Sequence, residues 1–358
     1  MGSAAAVGRR DHPRGGGDLR RHDGRAHGAA ALSRGQLMNL AVRLLLSFAL
    51  ALSSSAVRAQ AGDASAPLVL TGTQATYSLT VALTAGTPIE VQNVPADGRP
   101  FALLKDYIAR RTDALAPTFQ RATAVVTLTN ALPGDPLYRF ARDANIRIVD
   151  IEAAVPWSLD APGVGLADQP TTNVAWGKDS DPPEGAVAPY LWLSVSNVIR
   201  MGDIIAYDLA ALFPESAAKI GQNLDALKRS LLELRGEYQD RIFESGADVV
   251  FALTGDFVYL TNDLGLFVDG YFLKQDVRWT EADLAALTKH LRDNGIKVVL
   301  HEWEPSEAIQ SAVRAAGARL VVLDNGDPGV VVDRALAPDG LQQILRKNLE
   351  AIVGAAAE

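Results

Sequence analysis

The chain has 358 residues, 48% of them hydrophobic, and a formal net charge of −8. It contains no cysteine, which excludes disulfide bonds, thiolate metal ligands and a cysteine nucleophile. Residues 1–59 hold nine Arg and three Asp, so the rest of the chain carries a net charge of about −14, and we expect no nucleic-acid partner.

The N-terminal segment predicts export. Residues 1–37 are rich in Arg, Gly, Ala and His without apolar periodicity, so we expect them to be disordered or to precede a true start at Met38. Residues 38–59 have the pattern of a secretory signal peptide, with an apolar run at 44–51 and a small-x-small cleavage site at Val57–Ala59. The apolar run is shorter than the roughly 18 residues that a membrane anchor needs. We therefore expect a periplasmic protein.

Residues 60–212 predict a first lobe in which strands alternate with helices, an order typical of a parallel sheet. We place strands at 67–73, 87–94, 124–129 and 146–151, and helices at 74–85, 101–111, 136–144 and 193–212. Residues 155–189 contain many Pro, Gly and acidic residues and predict a long loop that is functional or mobile.

One long amphipathic helix is predicted over Glu215–Ser245, because its apolar residues recur every three or four positions between Pro214 and Gly246. A helix this long is more easily explained as a spine that joins two lobes than as one crossover helix within a lobe. We assign residues 213–246 to this spine. Residues 247–358 repeat the strand–helix alternation as a second lobe. Its strands are placed at 248–253, 266–273, 296–300 and 318–323, and its helices after Asp256 and at 280–294, 305–316 and 341–353. The predicted fold class is thus α/β, with two parallel-sheet lobes joined by one long helix.

Polar residues follow the strands of the second lobe, where open parallel sheets bind ligands. Together with the intervening Gly255, they are Thr254 and Asp256, then His301 and Glu302, then Asp324 and Asn325. Carboxylates and an imidazole that converge there could coordinate a divalent cation, whereas a single acid at a strand end often only caps the next helix.

The order of the segments resembles the zinc- and manganese-type (cluster A-I, TroA-like) solute-binding proteins of bacterial ABC importers. The resemblance is carried by Pro189–Ser194 (PYLWLS), the long helix, Val250–Tyr259 (VFALTGDFVY) and Val321–Asp324 (VVLD). It implies two lobes on one long helix, a zinc or manganese ion held between them as cargo, and an ABC permease in the inner membrane as partner.

The chain departs from this family at the metal ligands. The family places a His in the loop that is 95–100 here, a His where Tyr190 stands, a His or Glu at Thr254 and an Asp at Asp324. Since neutral hydroxyls are poor zinc ligands, we predict a rearranged site that is rich in oxygen and suits manganese better than zinc. Its metal ligands would be Asp256, His301, Glu302 and Asp324.

Three functions are compatible with the sequence. The first is a monomeric periplasmic binding protein that delivers a divalent metal ion to an ABC permease. The second is the same fold binding a non-metal small molecule through Arg99, Tyr190, Thr254 and His301. The third is an exported enzyme with a His301–Asp dyad, but the Gly-x-Ser-x-Gly, His-Glu-x-x-His and phosphate-loop motifs are missing, so we predict no enzyme.

Overall fold

The computed structural model describes residues 66–158, 161–177, 185–246 and 248–357. The predicted signal peptide and the segment before it lie outside these residues, and export therefore stays a prediction. None of the helices in the described ranges is both long and apolar enough to cross a membrane.

Two four-stranded parallel sheets form the centres of the two lobes. The first has the order β2-β1-β3-β4 and the second the order β6-β5-β7-β8, so each lobe repeats the same winding. The strands are β1 (Leu68–Thr71), β2 (Glu90–Asn93), β3 (Ala122–Thr127), β4 (Val149–Glu152), β5 (Val249–Ala252), β6 (Phe267–Tyr271), β7 (Val298–His301) and β8 (Arg319–Val322). The predicted parallel sheets are confirmed, with strand bounds shifted by up to three residues.

The helices cover both faces of each sheet. They are α1 (Gln74–Thr84), α2 (Phe101–Ala109), α3 (Thr112–Arg121), α4 (Leu137–Ala144), α5 (Val195–Leu212), α6 (Ala217–Ser245), α7 (Val258–Leu264), α8 (Glu281–Asp293), α9 (Glu307–Ala315) and α10 (Gly340–Ala357). Helix α3 is not predicted from the sequence, because Pro117 lies inside it and proline normally ends a helix. The side chain of Thr280 accepts the backbone N–H of Asp283 at 3.3 Å and caps α8.

The long helix α6 is the predicted spine. It follows a 3₁₀ turn at Pro214–Ser216 and ends at Gly246, whose φ of 66° is the left-handed conformation that favours glycine. Its buried side chains are Ile220, Leu227, Leu231, Leu234, Tyr238 and Ile242. This stripe packs against α1, α5 and α10, so the spine is embedded in a helical layer and does not stand alone between the lobes.

The strand side chains alternate between two hydrophobic cores. In β1, Val69 belongs to the central core that also contains the α6 stripe, whereas Leu68 and Leu70 face an outer core beneath α2 to α4. In β7, Leu300 faces the central core and Val299 an outer core beneath α8 and α9. Both faces of each sheet are therefore buried, as parallel sheets require.

The segment predicted as a mobile loop, 155–189, makes defined contacts in its described parts. The N–H of Leu273, just beyond β6, donates to the hydroxyl of Thr172 at 3.0 Å, and Tyr271 donates to Asn173 at 2.7 Å. Val174 is buried in the outer core of the second lobe. The chain of the first lobe thus extends along the edge of the second sheet.

A second connection between the lobes follows β8. Residues 324–340 carry a small antiparallel pair, β9 (Val331–Val332) and β10 (Ala335–Leu336), which is not predicted from the sequence. The Gln74 side chain donates to the Ala337 carbonyl at 2.9 Å, and Leu336 donates to the Ala96 carbonyl at 2.8 Å. These bonds tie the second lobe directly to α1 and to the loop after β2.

Candidate functional site

A cavity of about 270 Å³ lies at the carboxyl ends of β5, β6 and β7. It is lined by Gln169, Leu253, Thr254, Gly255, Asp256, Leu273, Lys274, Gln275, Asp276, His301, Glu302 and Trp303. The parallel strands bring four predicted site residues together here, because their carboxyl ends meet at one edge of the sheet. These residues are Thr254, Asp256, His301 and Glu302.

Two carboxyl groups face each other in this cavity. Burial and the adjoining carboxylate of Asp256 hold the pKa of Glu302 well above its usual range, while a hydrogen bond from Thr254 opposes this rise. The Thr254 hydroxyl also accepts the backbone N–H of Asp256 at 3.3 Å. Glu302 therefore keeps its proton near pH 7, and a cation could bind between the two carboxyl groups in place of that proton.

His301, at the end of β7, is only 2% exposed. Its Nδ1 accepts the backbone N–H of Glu302 at 2.8 Å, and its Nε2 lies 3.5 Å from a carboxylate oxygen of Asp276. These contacts assign the proton of the neutral ring to Nε2. Burial lowers the pKa of His301, so the ring is neutral near pH 7 and Nε2 offers no lone pair to a metal in this orientation. His301, a predicted metal ligand, thus lies in the cavity, but its two ring nitrogens face the Glu302 N–H and the Asp276 carboxylate.

Tyr190 faces the same acids from the residue before a 3₁₀ turn, Leu191–Leu193, that leads into α5. Burial raises the pKa of its hydroxyl, and the nearby carboxylates of Asp256, Asp327 and Glu302 raise it further. Its ring centre lies 5.6 Å from that of Trp192 in an edge-to-face arrangement. Tyr190 therefore stays protonated beside the acid pair as a hydrogen-bonding group, although it is not part of the cavity wall.

Asp324 is not brought into the cavity. Its carboxylate accepts the backbone N–H of Gly326 at 2.9 Å and lies 3.5 Å from the Lys347 ammonium. Its backbone N–H donates to Asn348 of α10 at 2.8 Å, and its carbonyl accepts from the same side chain at 2.7 Å. The residue that matches the family's aspartate ligand thus closes a turn against α10.

Arg99 also lies apart from the cavity. Its side chain is exposed, pairs with Asp97 at 3.2 Å and stands 5.7 Å from the centre of the Tyr107 ring. The neighbouring Gly98 is covered, because a Cβ there would meet the Leu336 side chain at 2.8 Å. The loop where the family carries its first histidine is therefore packed against the segment that follows β8.

Two residues of this region, Asp276 and Gln169, are not predicted from the sequence, and Asn325 is predicted only as a polar residue that follows a strand. Asp276 follows β6, Gln169 reaches the cavity from the long loop, and Asn325 donates to Asp256 at 2.9 Å. Asp276 could have been found by the rule that found Asp256, since it also follows a predicted strand. Gln169 carries no local signal, whereas Asn325 follows a predicted strand as Asp324 does.

The cavity has an acidic character that suits a cation or a hydrogen-bond donor. Asp256, Asp276 and Glu302 contribute carboxyl groups, and Lys274 pairs with Asp283 at 2.9 Å. Within the described residues, no group of three or more His, Cys, Asp or Glu side chains is arranged to hold a metal ion. A metal would therefore require side-chain movement, or ligands such as Thr254 and water.

A comparison with curated sequences gives a partial match. The zinc-binding lipoprotein AdcA of Streptococcus pneumoniae (strain ATCC BAA-255 / R6) is 26% identical over 168 residues, which cover 46% of this chain and 33% of AdcA. The matched part thus spans about a third of the length of that relative.

Solved structures share the fold over most of the chain. The SBP FpvC of Pseudomonas aeruginosa, in complex with Mn2+, matches with a TM-score of 0.56 and 21% identity, covering 81% of this chain and 98% of FpvC. The Zn(II)-bound ZnuA-like domain of Streptococcus pneumoniae AdcA matches with a TM-score of 0.53 and 19% identity, covering 82% and 99%. At these identities the likeness establishes the fold, which confirms the predicted architecture of two parallel-sheet lobes with a long helix.

Residues 99–355 match the sequence profile of ZnuA, described as zinc-uptake complex component A, periplasmic. The match covers well over half of the chain and includes the long helix and residues 247–355 of the second lobe, with its acidic cavity. The chain belongs to the ZnuA family.

Proposed function

We propose that the protein is a periplasmic receptor that binds a divalent metal ion, zinc or manganese, and delivers it to an ABC permease in the inner membrane. Family membership over residues 99–355 supports this role, as do the zinc-binding relative AdcA and the Mn2+ complex of FpvC. Within the family we place it in the TroA-like subclass, as a monomeric receptor without catalytic activity. The observation that carries the proposal is the pair of facing carboxyl groups, Asp256 and Glu302, at the strand ends.

The cation would lie between Asp256 and Glu302, with the Thr254 hydroxyl as a third oxygen. Asp276 borders the same cavity, and His301 could join only after its ring turns away from the backbone N–H that it accepts. Oxygen donors of this kind favour manganese and other hard cations over zinc, which prefers nitrogen and sulfur. Asp324, which the sequence predicts as a ligand, would bind the cation only if the turn that it forms with Gly326 opened.

A second candidate is a small organic ligand bound by the same cavity. Its volume of about 270 Å³ exceeds the needs of one ion, and its wall includes the Gln169 amide and the Trp303 indole. Such a ligand would carry donor groups or a positive charge, because the acids of the cavity accept hydrogen bonds and repel anions.

Elemental analysis and native mass spectrometry of residues 60–358 as isolated, followed by calorimetric titration with MnCl2 and ZnCl2, test both candidates. We expect one bound cation per chain and a rise in thermal stability on adding metal. A co-purified organic molecule, together with no heat and no stabilisation from either metal, would replace the metal proposal by the second candidate.

A further inference from the structure

Asn325 makes a contact that nothing in the family resemblance requires. It lies one residue after Asp324, and its side-chain N–H donates to the Oδ2 atom of Asp256 at 2.9 Å. An amide donor lowers the electrostatic cost of holding a carboxylate against a second acid. Asn325 therefore fixes the side chain of Asp256 in the orientation in which it faces Glu302.

The rest of Asn325 is held from two directions. Its side-chain oxygen accepts the backbone N–H of Asp327 at 3.1 Å. Its backbone carbonyl accepts the indole N–H of Trp192 at 2.9 Å, and Gly326 packs so closely on that indole that a Cβ would meet it at 2.8 Å. The amide of Asn325 is thus oriented by bonds on both sides, so it has little freedom to turn.

Asp327 continues the chain of bonds into the first lobe. Both of its carboxylate oxygens lie 2.9 Å from the backbone nitrogen of Phe101, the first residue of α2. The residue before it, Pro100, provides no capping side chain, so the free N–H at this helix end is satisfied from the second lobe. The carboxylate also interacts favourably with the positive end of the helix dipole.

We propose that Asn325 is a positioning residue that orients Asp256 for cation binding and, through Asp327, couples the occupied cavity to the N-terminus of α2 in the first lobe. This inference rests on the proposed metal-binding function. When a cation draws Asp256 towards Glu302, the bond from Asn325 shifts, and the turn that holds Asp327 shifts with it. The state of the cavity is thereby transmitted to the contact between the lobes.

The test compares Asn325→Ala with Asp327→Ala in the mature protein, using MnCl2 as the probe. We expect Asn325→Ala to weaken Mn2+ binding about tenfold, because Asp256 is then free to rotate towards solvent. Asp327→Ala keeps its own backbone N–H on the side-chain oxygen of Asn325, so we expect affinity within about threefold of the parent protein. Asn294→Ala, at an exposed asparagine in the second lobe, is the matched control and should change nothing.

Hydrogen–deuterium exchange at the Phe101 amide provides the readout that a merely structural role would not alter. In the parent protein we expect Mn2+ to change this exchange rate at least threefold. In Asn325→Ala at saturating Mn2+, and in Asp327→Ala, which removes the acceptor of the Phe101 N–H, the rate should no longer respond to the metal.

The outcomes separate the two proposals. If the parent protein binds no Mn2+, the proposed function is wrong, and no binding event exists that Asn325 could couple to α2. If the parent protein binds Mn2+ but Asn325→Ala binds it equally well, with an unchanged response at Phe101, the function stands and the role of Asn325 is wrong.

Discussion

Acidic side chains follow the strands of both lobes, but their surroundings differ. In the first lobe, Asp135 accepts the N–H groups of Leu128 and Leu137 at 3.1 and 3.0 Å, so each oxygen has a backbone donor. In the second lobe, Asp256 and Glu302 face each other, and their hydrogen bonds come from the side chains of Asn325 and Thr254. An acid at a strand end thus indicates a binding site only when its hydrogen-bonding capacity is left for a ligand.

Loss of binding is the largest effect that this difference predicts. Asp256→Asn removes one charge of the pair, and we expect Mn2+ affinity to fall about 100-fold or more, since hard cations require anionic oxygen ligands. Calorimetric titration measures the change. The matched control is Glu152→Gln in the first lobe, which should bind like the parent protein. If Glu152→Gln lost as much Mn2+ affinity as Asp256→Asn, the acids of the two lobes would not differ in their role in metal binding.

The free energy of unfolding should show the opposite order, with a larger loss for the first-lobe acid Asp135 than for Asp256. Asp135→Ala leaves two buried N–H groups without acceptors, and we expect the free energy of unfolding to fall by about 2 to 4 kcal/mol. Asp256→Asn removes repulsion between two acids, and its stability should stay within about 1 kcal/mol of the parent protein or rise. Urea denaturation monitored by circular dichroism checks both values. Equal destabilisation by the two substitutions would mean that both acids are structural.

The pH dependence of stability sharpens the description of the first lobe. Burial raises the pKa of Glu152 from 4.5 to about 7, although the N–H groups of Asn130 and Ala154 donate to it and oppose the rise. Between these two pKa values the folded protein holds a proton that the unfolded chain has released. Stability must therefore fall as pH rises through this window.

We expect Glu152 to lower the free energy of unfolding by about 2 kcal/mol between pH 5 and pH 7.5. In Glu152→Gln, the same pair of urea titrations should show a correspondingly smaller decrease. An unchanged slope in the variant would assign the pH dependence to other groups, of which Asp208 is one, since burial raises its pKa to about 6.

Local patterns in the sequence were sufficient for most of the fold. Alternation of apolar strands and amphipathic helices predicted both parallel sheets, and the apolar stripe of Glu215–Ser245 predicted the spine. The patterns failed where local preference was overridden, as in α3 with its internal Pro117, or where a long loop gained its structure from the second sheet through Thr172 and Asn173. These exceptions depend on tertiary contacts that no short window contains.

The site was predictable to a similar degree. Thr254, Asp256, His301 and Glu302 come together because strand direction alone places them at one edge. Which way each side chain turns depends on partners elsewhere in the chain. The orientation of the His301 ring depends on its hydrogen bond with the backbone N–H of Glu302. The sequence therefore predicts the position of His301 but not its tautomer.

Substitution of Asp324 has the smallest predicted effect on Mn2+ affinity. It is also the strictest test of whether hydrogen bonding distinguishes the acids that bind a cation from those that do not. It belongs to the second lobe and follows a strand, yet its carboxylate is bonded like the acids of the first lobe, to the N–H of Gly326 at 2.9 Å. If hydrogen bonding and not the choice of lobe decides which acids bind a cation, Asp324→Asn should change Mn2+ affinity by less than about threefold, because its oxygen can still accept that N–H. Titration of this variant beside Asp256→Asn measures the contrast. A loss as large as that of Asp256→Asn would mean that the turn opens on binding and that the family's aspartate ligand is retained.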